Sequence, residues 1–244
     1  MIPLFQYTAR YSSTSSAFCR KSFETLCTRP TLLSRSIGGR KRVGPPKEIL
    51  LLDVMDTIVV DPFFKEMPKF FGMTFDDLMK CKSPTAWPAF ERGEINQDEL
   101  FRQFFNDRRN FDGPELVKTM EEAYYFVDGM ECLLDQIKSS GYEMHAMSNY
   151  PIWYKLIEAK LGLSKYIQWT FVSCEGPMKG LRKPSAAAYE AAAKALDVPK
   201  ERLIFVDDRA VNVEAARASG IDGIVFKDVT GLRDELFKRG LVIE

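Results

Sequence analysis

Ile49-Leu50-Leu51-Leu52-Asp53-Val54-Met55-Asp56-Thr57 is the stretch that decides the fold class of this 244-residue chain. An unbroken apolar run of this length suits a parallel strand covered on both faces, where alternation of polar and apolar residues has no advantage. The run ends on a carboxylate. Three more segments have the same character of chemistry at the end of a run or the start of a helix. They are Ala146-Met147-Ser148-Asn149, Arg182-Lys183-Pro184 and Ile204-Phe205-Val206-Asp207-Asp208. A parallel sheet gathers its strand ends on one edge, so these remote residues are expected to meet there.

The β-like runs are Ile49–Val54, Glu143–Met147, Trp169–Ser173, Leu203–Val206 and Gly223–Phe226. Helical patterns fall between them. Tyr189, Ala192, Ala193 and Leu196 have the i, i+3, i+4, i+7 spacing of one helix face, with Ser185 as its N-cap. A second helix is expected over Val213 to Ser219, stopped by Gly220. Strand and helix in alternation predict an α/β doubly wound parallel sheet. The first two runs are separated by about 85 residues, too many for a simple crossover. Within that gap Leu100, Phe101, Phe104 and Phe105 form one apolar stripe, and Leu116, Met120, Ala123, Tyr124 and Val127 form another. The expected division is a leader over 1–47, a core of 48–65 and 128–244, and a small helical insert over 66–127.

The chemistry expected of the strand ends is phosphoryl transfer. Asp53 can attack phosphorus and form an aspartyl-phosphate once a cation suppresses charge repulsion. Asp207 and Asp208 repel one another at a strand end, and hard oxygen ligands beside a phosphate point to Mg²⁺. Ser148 and the backbone N–H of Asn149 can hydrogen-bond a phosphoryl oxygen. Lys183 can neutralise both Asp53 and the transferring group, and such preorganised groups are typically worth about 10²–10³ in rate.

These four motifs, in this order, resemble those of the haloacid dehalogenase-like (HAD) phosphatases. Asp53-Val54-Met55-Asp56-Thr57, Asp61-Pro62-Phe63, Phe70-Phe71-Gly72-Met73 and Ser148-Asn149-Tyr150-Pro151-Ile152-Trp153-Tyr154 are similar to the plant chloroplast FMN hydrolases within that superfamily. The resemblance covers roughly residues 48 to 240 and implies a HAD-like core with a helical cap between its first two motifs. It implies that Asp53, the carbonyl of Met55 and Asp208 hold Mg²⁺, with Asp207 in support. It implies catalytic roles for Asp53, Ser148, Asn149 and Lys183, and places Asn212 as support for the loop after the fourth strand. The substrate it implies is a small phosphate ester, FMN, with contacts expected from Thr57, Tyr150, Trp153 and Tyr154, and from Trp87 on the cap side. A phosphatase for another phosphometabolite, a dehalogenase, or a catalytically weak phosphate-binding protein are the alternatives. One position departs from the superfamily pattern. The second aspartate, two residues after the nucleophile, normally protonates the leaving oxygen; here it is Met55, and Asp56 stands one residue late.

Charge separates the leader from the body. Residues 1–47 hold nine Lys/Arg, a single acid (Glu24) and twelve Ser/Thr, the composition of an organelle transit peptide. The family resemblance turns that reading toward the chloroplast, with the mitochondrion as alternative. Of 34 basic and 34 acidic residues, 25 and 33 then belong to residues 48–244, a net of about −8. An acidic body speaks against nucleic acid as partner. No apolar run approaches the length of a membrane span. Five cysteines without paired spacing fit a reducing compartment. The lone His145 sits three residues before Ser148, on the opposite face of an alternating strand, and no catalytic role is expected of it.

Overall fold

The structure is a computed structural model and describes residues 48–243; the transit-peptide reading of 1–47 falls outside the described residues. Five parallel strands, β1 (Ile49–Leu52), β2 (Glu143–Ser148), β3 (Gln168–Val172), β4 (Leu203–Asp207) and β5 (Asp222–Val225), form one sheet in the order β3-β2-β1-β4-β5. Each strand run read from the sequence is present within two residues of its expected ends. β1 lies at the centre, with Leu52 paired to Ala146 on one side and to Val206 on the other.

Both faces of the sheet are covered, which is why β1 needs no polar residue. Leu50 and Leu52 join one apolar cluster, Ile49 and Leu51 the opposite one. Helices α8 (Ala186–Leu196) and α9 (Ala210–Ala218) pack their Tyr189, Ala192, Val213 and Ala216 on the second face. Ser185 stands at the N-cap of α8 in extended backbone, as expected, and α9 begins three residues earlier than its apolar pattern suggested, with Arg209 as N-cap.

Of the helices between β1 and β2, five fall in the expected insert: α1 (Glu66–Phe70), α2 (Phe75–Cys81), α3 (Ala86–Glu91), α4 (Gln97–Gln103) and α5 (Gly113–Ala123), preceded by a short 3₁₀ turn at Pro62–Phe64. Local signals start them: Thr74 caps α2, Asn96 and Glu99 form a capping box on α4, and Asp112 followed by Gly113-Pro114 starts α5. Their buried side chains, Leu78, Phe90, Leu100, Phe104, Leu116 and Met120, belong to the same continuous apolar cluster as Leu50 and Leu52. The insert therefore closes onto the sheet layer through shared core. At one point the contact is backbone to backbone: Gly93, at φ +68°, lies so near the Cys174 carbonyl that a Cβ there would stand 2.4 Å from its oxygen. The remaining helices, α6 (Met130–Ser139), α7 (Tyr154–Leu161) and α10 (Val229–Lys238), complete the layer on that face. No described helix is long and apolar enough to cross a membrane.

Candidate active site

The chain makes a tight turn directly after β1. The Val54 carbonyl accepts the N–H groups of Ile58 and Val59, the Asp56 N–H donates to the Val59 carbonyl, and Asp56 adopts the left-handed conformation at φ +54°. This turn leaves Asp53 at the strand end, its N–H donating to the Val206 carbonyl at 2.8 Å, and so ties the β1 end to the β4 end. The same turn sends the Asp56 carboxylate the other way, where it accepts the Asp61 N–H at 2.9 Å.

Lys183 joins the two acidic strand ends. Its ammonium, in a side chain 1 % exposed, donates to Asp53 Oδ1 and to Asp207 Oδ2, each at 2.7 Å. Asp207 is held from its other side by Asn212 Nδ2, which donates to both carboxylate oxygens at 3.0 Å, and by the Arg209 N–H at 2.9 Å. Asp53, Asp207 and Asp208 each present an oxygen within 4.8 Å of the other two. Burial raises the Asp53 pKa to about 8 against the opposing charge of Lys183, and burial with the repulsion of Asp207 and Asp56 raises Asp208 to about 6. Burial works against the charge on Lys183, but Asp207 and Asp53 outweigh it and leave its pKa raised. Ionised together, three carboxylates facing one ammonium would leave two negative charges without compensation; protons held on Asp53 and Asp208 relieve that charge, and a divalent cation with a preference for oxygen ligands would replace them.

Two hydroxyls complete the picture. Ser148 lies two residues beyond the Leu52–Ala146 pair and so level with the end of β1. Its Oγ and the Oγ1 of Thr57 are both buried without a hydrogen-bond partner among the described residues. Buried hydroxyls are rarely left unpaired, and the oxygens of a phosphoryl group supply what they lack.

The expectation for Asn149 concerns its backbone N–H, and its side chain has a separate task. Its Nδ2 donates to the Lys183 carbonyl and its Oδ1 accepts the Lys183 N–H, both at 2.9 Å, so its amide holds the lysine's backbone. Other expectations are corrected. The aromatics Tyr150, Trp153 and Tyr154 were expected to touch substrate; they are instead 3 %, 2 % and 7 % exposed and locked in packing. Trp153 meets Trp87 and Phe90 at ring-centre distances of 5.6 and 5.5 Å and donates through Nε1 to Gln97 at 2.7 Å. The Tyr150 hydroxyl pairs with that of Tyr124, and the Tyr154 hydroxyl donates to Glu175. The physical reason is the insert, which closes over the segment after β2 and uses its rings as the contact. Replacing Trp153 by Ala should therefore cost about 3–5 kcal/mol of stability, a Tm loss on the order of 10 °C by thermal melting. Turnover of a large and a small phosphate ester should change by the same factor. His145, as expected, faces away: its ring nitrogens meet Thr170 at 2.7 Å and Glu143 at 2.8 Å.

Four polar residues around the insert junction escaped the sequence reading. Asp61 caps the turn that follows it, accepting the Phe63 N–H at 2.9 Å; burial, with Asp56, Glu91 and Asp208 near, pushes its pKa to about 7. Glu91, at the end of α3, accepts from Trp87 Nε1 at 2.6 Å and pairs with Arg182 at 2.5 Å, while its carbonyl accepts the Ser173 hydroxyl. Lys82 follows α2 and is 7 % exposed. The Asp61-Pro62 pair carried a helix-start signal, and Arg182 stood inside a quoted motif; Glu91 and Lys82 had no local signal at all.

A protein-family model for haloacid dehalogenase-like hydrolases matches residues 87–220. The chain is 45 % identical over 202 residues to flavin mononucleotide hydrolase 1, chloroplastic, of Arabidopsis thaliana, covering 83 % of this chain and 80 % of that protein. The chain belongs to the haloacid dehalogenase-like hydrolases. A sesquiterpene phosphatase of Aspergillus oryzae is 28 % identical over 163 residues, 64 % of this chain and 80 % of its own length. Among solved structures, a HAD family enzyme of Bacteroides thetaiotaomicron in complex with magnesium and inorganic phosphate superposes with a TM-score of 0.62 at 16 % identity, over 75 % of this chain and 96 % of that one. The L-2-haloacid dehalogenase of Xanthobacter autotrophicus, with chloropropionic acid covalently bound, superposes at 0.54 and 12 % identity, over 81 % and 85 %. Identities this low establish the shared fold.

Proposed function

We propose that this HAD hydrolase is a Mg²⁺-dependent phosphomonoesterase that converts FMN to riboflavin and phosphate in the chloroplast. The observation that carries the phosphatase reading is the Lys183 bridge between Asp53 and Asp207 with Asp208 alongside, a site whose charge balance calls for a divalent cation. The flavin and the compartment rest on the 45 % identity to the Arabidopsis hydrolase, and the metal is in keeping with the magnesium and phosphate held by the Bacteroides enzyme. Three carboxylates around one ammonium argue against halide displacement, which needs no cation.

In this reading Asp53, the Met55 carbonyl and Asp208 hold Mg²⁺, with Asp207 in support. The ion supplies charge neutralisation for the phosphoryl oxygens. Asp53 attacks phosphorus as its bond to the ester oxygen breaks, the leaving oxygen takes its proton from water, and a second water then attacks the aspartyl-phosphate, releasing phosphate, a proton and the Asp53 carboxylate. Lys183 steadies the nucleophile and the transferring group, Asn149 fixes the main chain of Lys183, and the hydroxyls of Ser148 and Thr57 donate to phosphoryl oxygens. Asn212 keeps Asp207 facing Lys183. Helices α1 to α5 act as a cap that excludes water from the leaving group. Met55 has no proton to give, so the cap-side contacts with the rest of the substrate carry more of the task of orientation than in relatives with an acid there.

A turnover panel tests this. FMN should exceed glycerol phosphate, glucose phosphate and farnesyl phosphate in kcat/KM by at least about tenfold, the effect of some 1.4 kcal/mol of extra transition-state binding. A sugar or prenyl phosphate ahead of FMN would overturn the flavin reading and leave the phosphatase.

A further inference from the structure

Lys82 is 7 % exposed and forms no close ion pair among the described residues, and Glu91 is the opposite charge that acts on it. Its backbone is fixed on two sides: its N–H donates to the Leu78 carbonyl at 2.8 Å, and it forms an antiparallel bridge with Phe105. The side chain is carried inward, yet its ammonium has no hydrogen-bond acceptor and no ion pair among the described residues. Its one close partner is the ring of Phe63, 5.8 Å from Nζ. The Lys82 ammonium is not among the sealed polar atoms that lack a partner, so although the side chain is mostly buried, its three donors stay open to a ligand. Burial of the side chain lowers its pKa, and Glu91 only partly restores it.

A chain of contacts leads from Lys82 through Phe63, Trp87, Glu91 and Arg182 toward Lys183. Phe63 lies two residues after Asp61 on the loop that leaves Asp53, and its ring meets that of Trp87 at 5.1 Å. Trp87 donates to Glu91, and Glu91 pairs with Arg182, the neighbour of Lys183. The phosphate end already has its own cation in Lys183, satisfied by Asp53 and Asp207. A second cation, its donors open and the Phe63 ring 5.8 Å away, serves a different part of the ligand.

We propose that Lys82 is a specificity residue that donates to carbonyl oxygens on a flat, ring-bearing leaving group, alongside the Phe63 and Trp87 rings. This rests on the phosphatase reading of the site and deepens it: the substrate class is a phosphate monoester whose alcohol carries a planar dione or imide, as the isoalloxazine of FMN does. Aliphatic sugar phosphates and prenyl phosphates offer no such oxygen.

Lys82→Met and Lys82→Arg test it against FMN, uridine 5′-monophosphate and phenyl phosphate, the last having a flat ring without a carbonyl. Lys82→Met should lower the ratio of kcat/KM for FMN over phenyl phosphate at least tenfold, mainly through KM, and weaken riboflavin binding, read by flavin fluorescence, by a similar factor. Lys82→Arg should restore part of both. Tm should hold or rise in Lys82→Met, because a mostly buried charge with no close ion pair is exchanged for a methyl thioether of similar length. A ratio within twofold of wild type, or a Tm loss with all substrates falling together, would overturn the proposal and leave Lys82 as a structural partner of Phe63. Should the wild type fail to prefer FMN, the flavin reading alone falls, and Lys82 is judged on uridine 5′-monophosphate over phenyl phosphate by the same ratio. A wild type that hydrolyses neither dione-bearing ester overturns both.

Discussion

Asp53→Asn should give a folded protein whose turnover of any phosphate ester falls by a factor on the order of 10⁴ or more, since the amide cannot form the covalent bond to phosphorus. The substitution is nearly isosteric, and the backbone tie from the Asp53 N–H to Val206 remains. A second readout separates this from mere damage. In the metal-free protein the Asp53 pKa stands at about 8 rather than the ordinary 3.8, raised by burial. The folded state thus holds this proton more tightly than the unfolded chain. Ionisation of Asp53 therefore draws stability away as pH rises from about 4 to about 8, and none of that loss is present below the lower limit. Asn lacks the charge. In chelator at pH 8 the variant should melt about 2–4 °C above wild type, some 1 kcal/mol, with the difference shrinking toward pH 5. A tenth of wild-type activity in the variant would rule out Asp53 as nucleophile. A lower Tm across the range would mean that the tie to Lys183 outweighs the burial of the charge.

What was legible in the sequence, and what was not, follows the distance over which each feature is decided. The ends of β1, β2 and β4 could be read because a parallel sheet has one rule for where its strand ends go, and an apolar run marks each strand locally. Asp53, Ser148 and Asp207 meet for that reason, and Lys183 reaches two of them from the start of α8. The rings after Ser148 had no such rule. Whether Tyr150, Trp153 and Tyr154 face a ligand or the core depends on how α3 and α4 settle on them, and a Trp87 or Gln97 more than fifty residues away supplies the decisive contact. The side-chain role of Asn149 went unread for a related reason: its amide matches the main chain of Lys183, a pairing across 34 residues that no spacing announces. Lys82 and Glu91 were invisible because a single charged residue on a helix end is ordinarily solvated, and only the closing of the insert buries them.

Removal of the divalent ion should have an effect almost as large as loss of the nucleophile. A phosphate dianion must approach Asp53, Asp207 and Asp208 with only Lys183 to balance them, so chelated enzyme should lose at least about 10³ in kcat/KM and regain it with added Mg²⁺. The affinity should depend on pH in a direction that the site dictates. Ligand carboxylates must shed their protons to bind the ion. With Asp53 held to about 8 and Asp208 to about 6 in the metal-free state, Mg²⁺ competes with protons over that whole window. Calorimetric titration of metal-free protein should show Mg²⁺ binding that weakens as pH falls from 8 to 6 and releases protons to the buffer. Ordinary solvated carboxylates, already ionised above pH 5, would give neither. Asp208→Asn should weaken Mg²⁺ binding and flatten the lower part of that pH dependence, while Asp207→Asn should also free Lys183 and Asn212 from the partner that aligns them. Full turnover in a preparation shown to be free of divalent ions would remove the metal from the reading, and with it the explanation of why three carboxylates converge on one lysine.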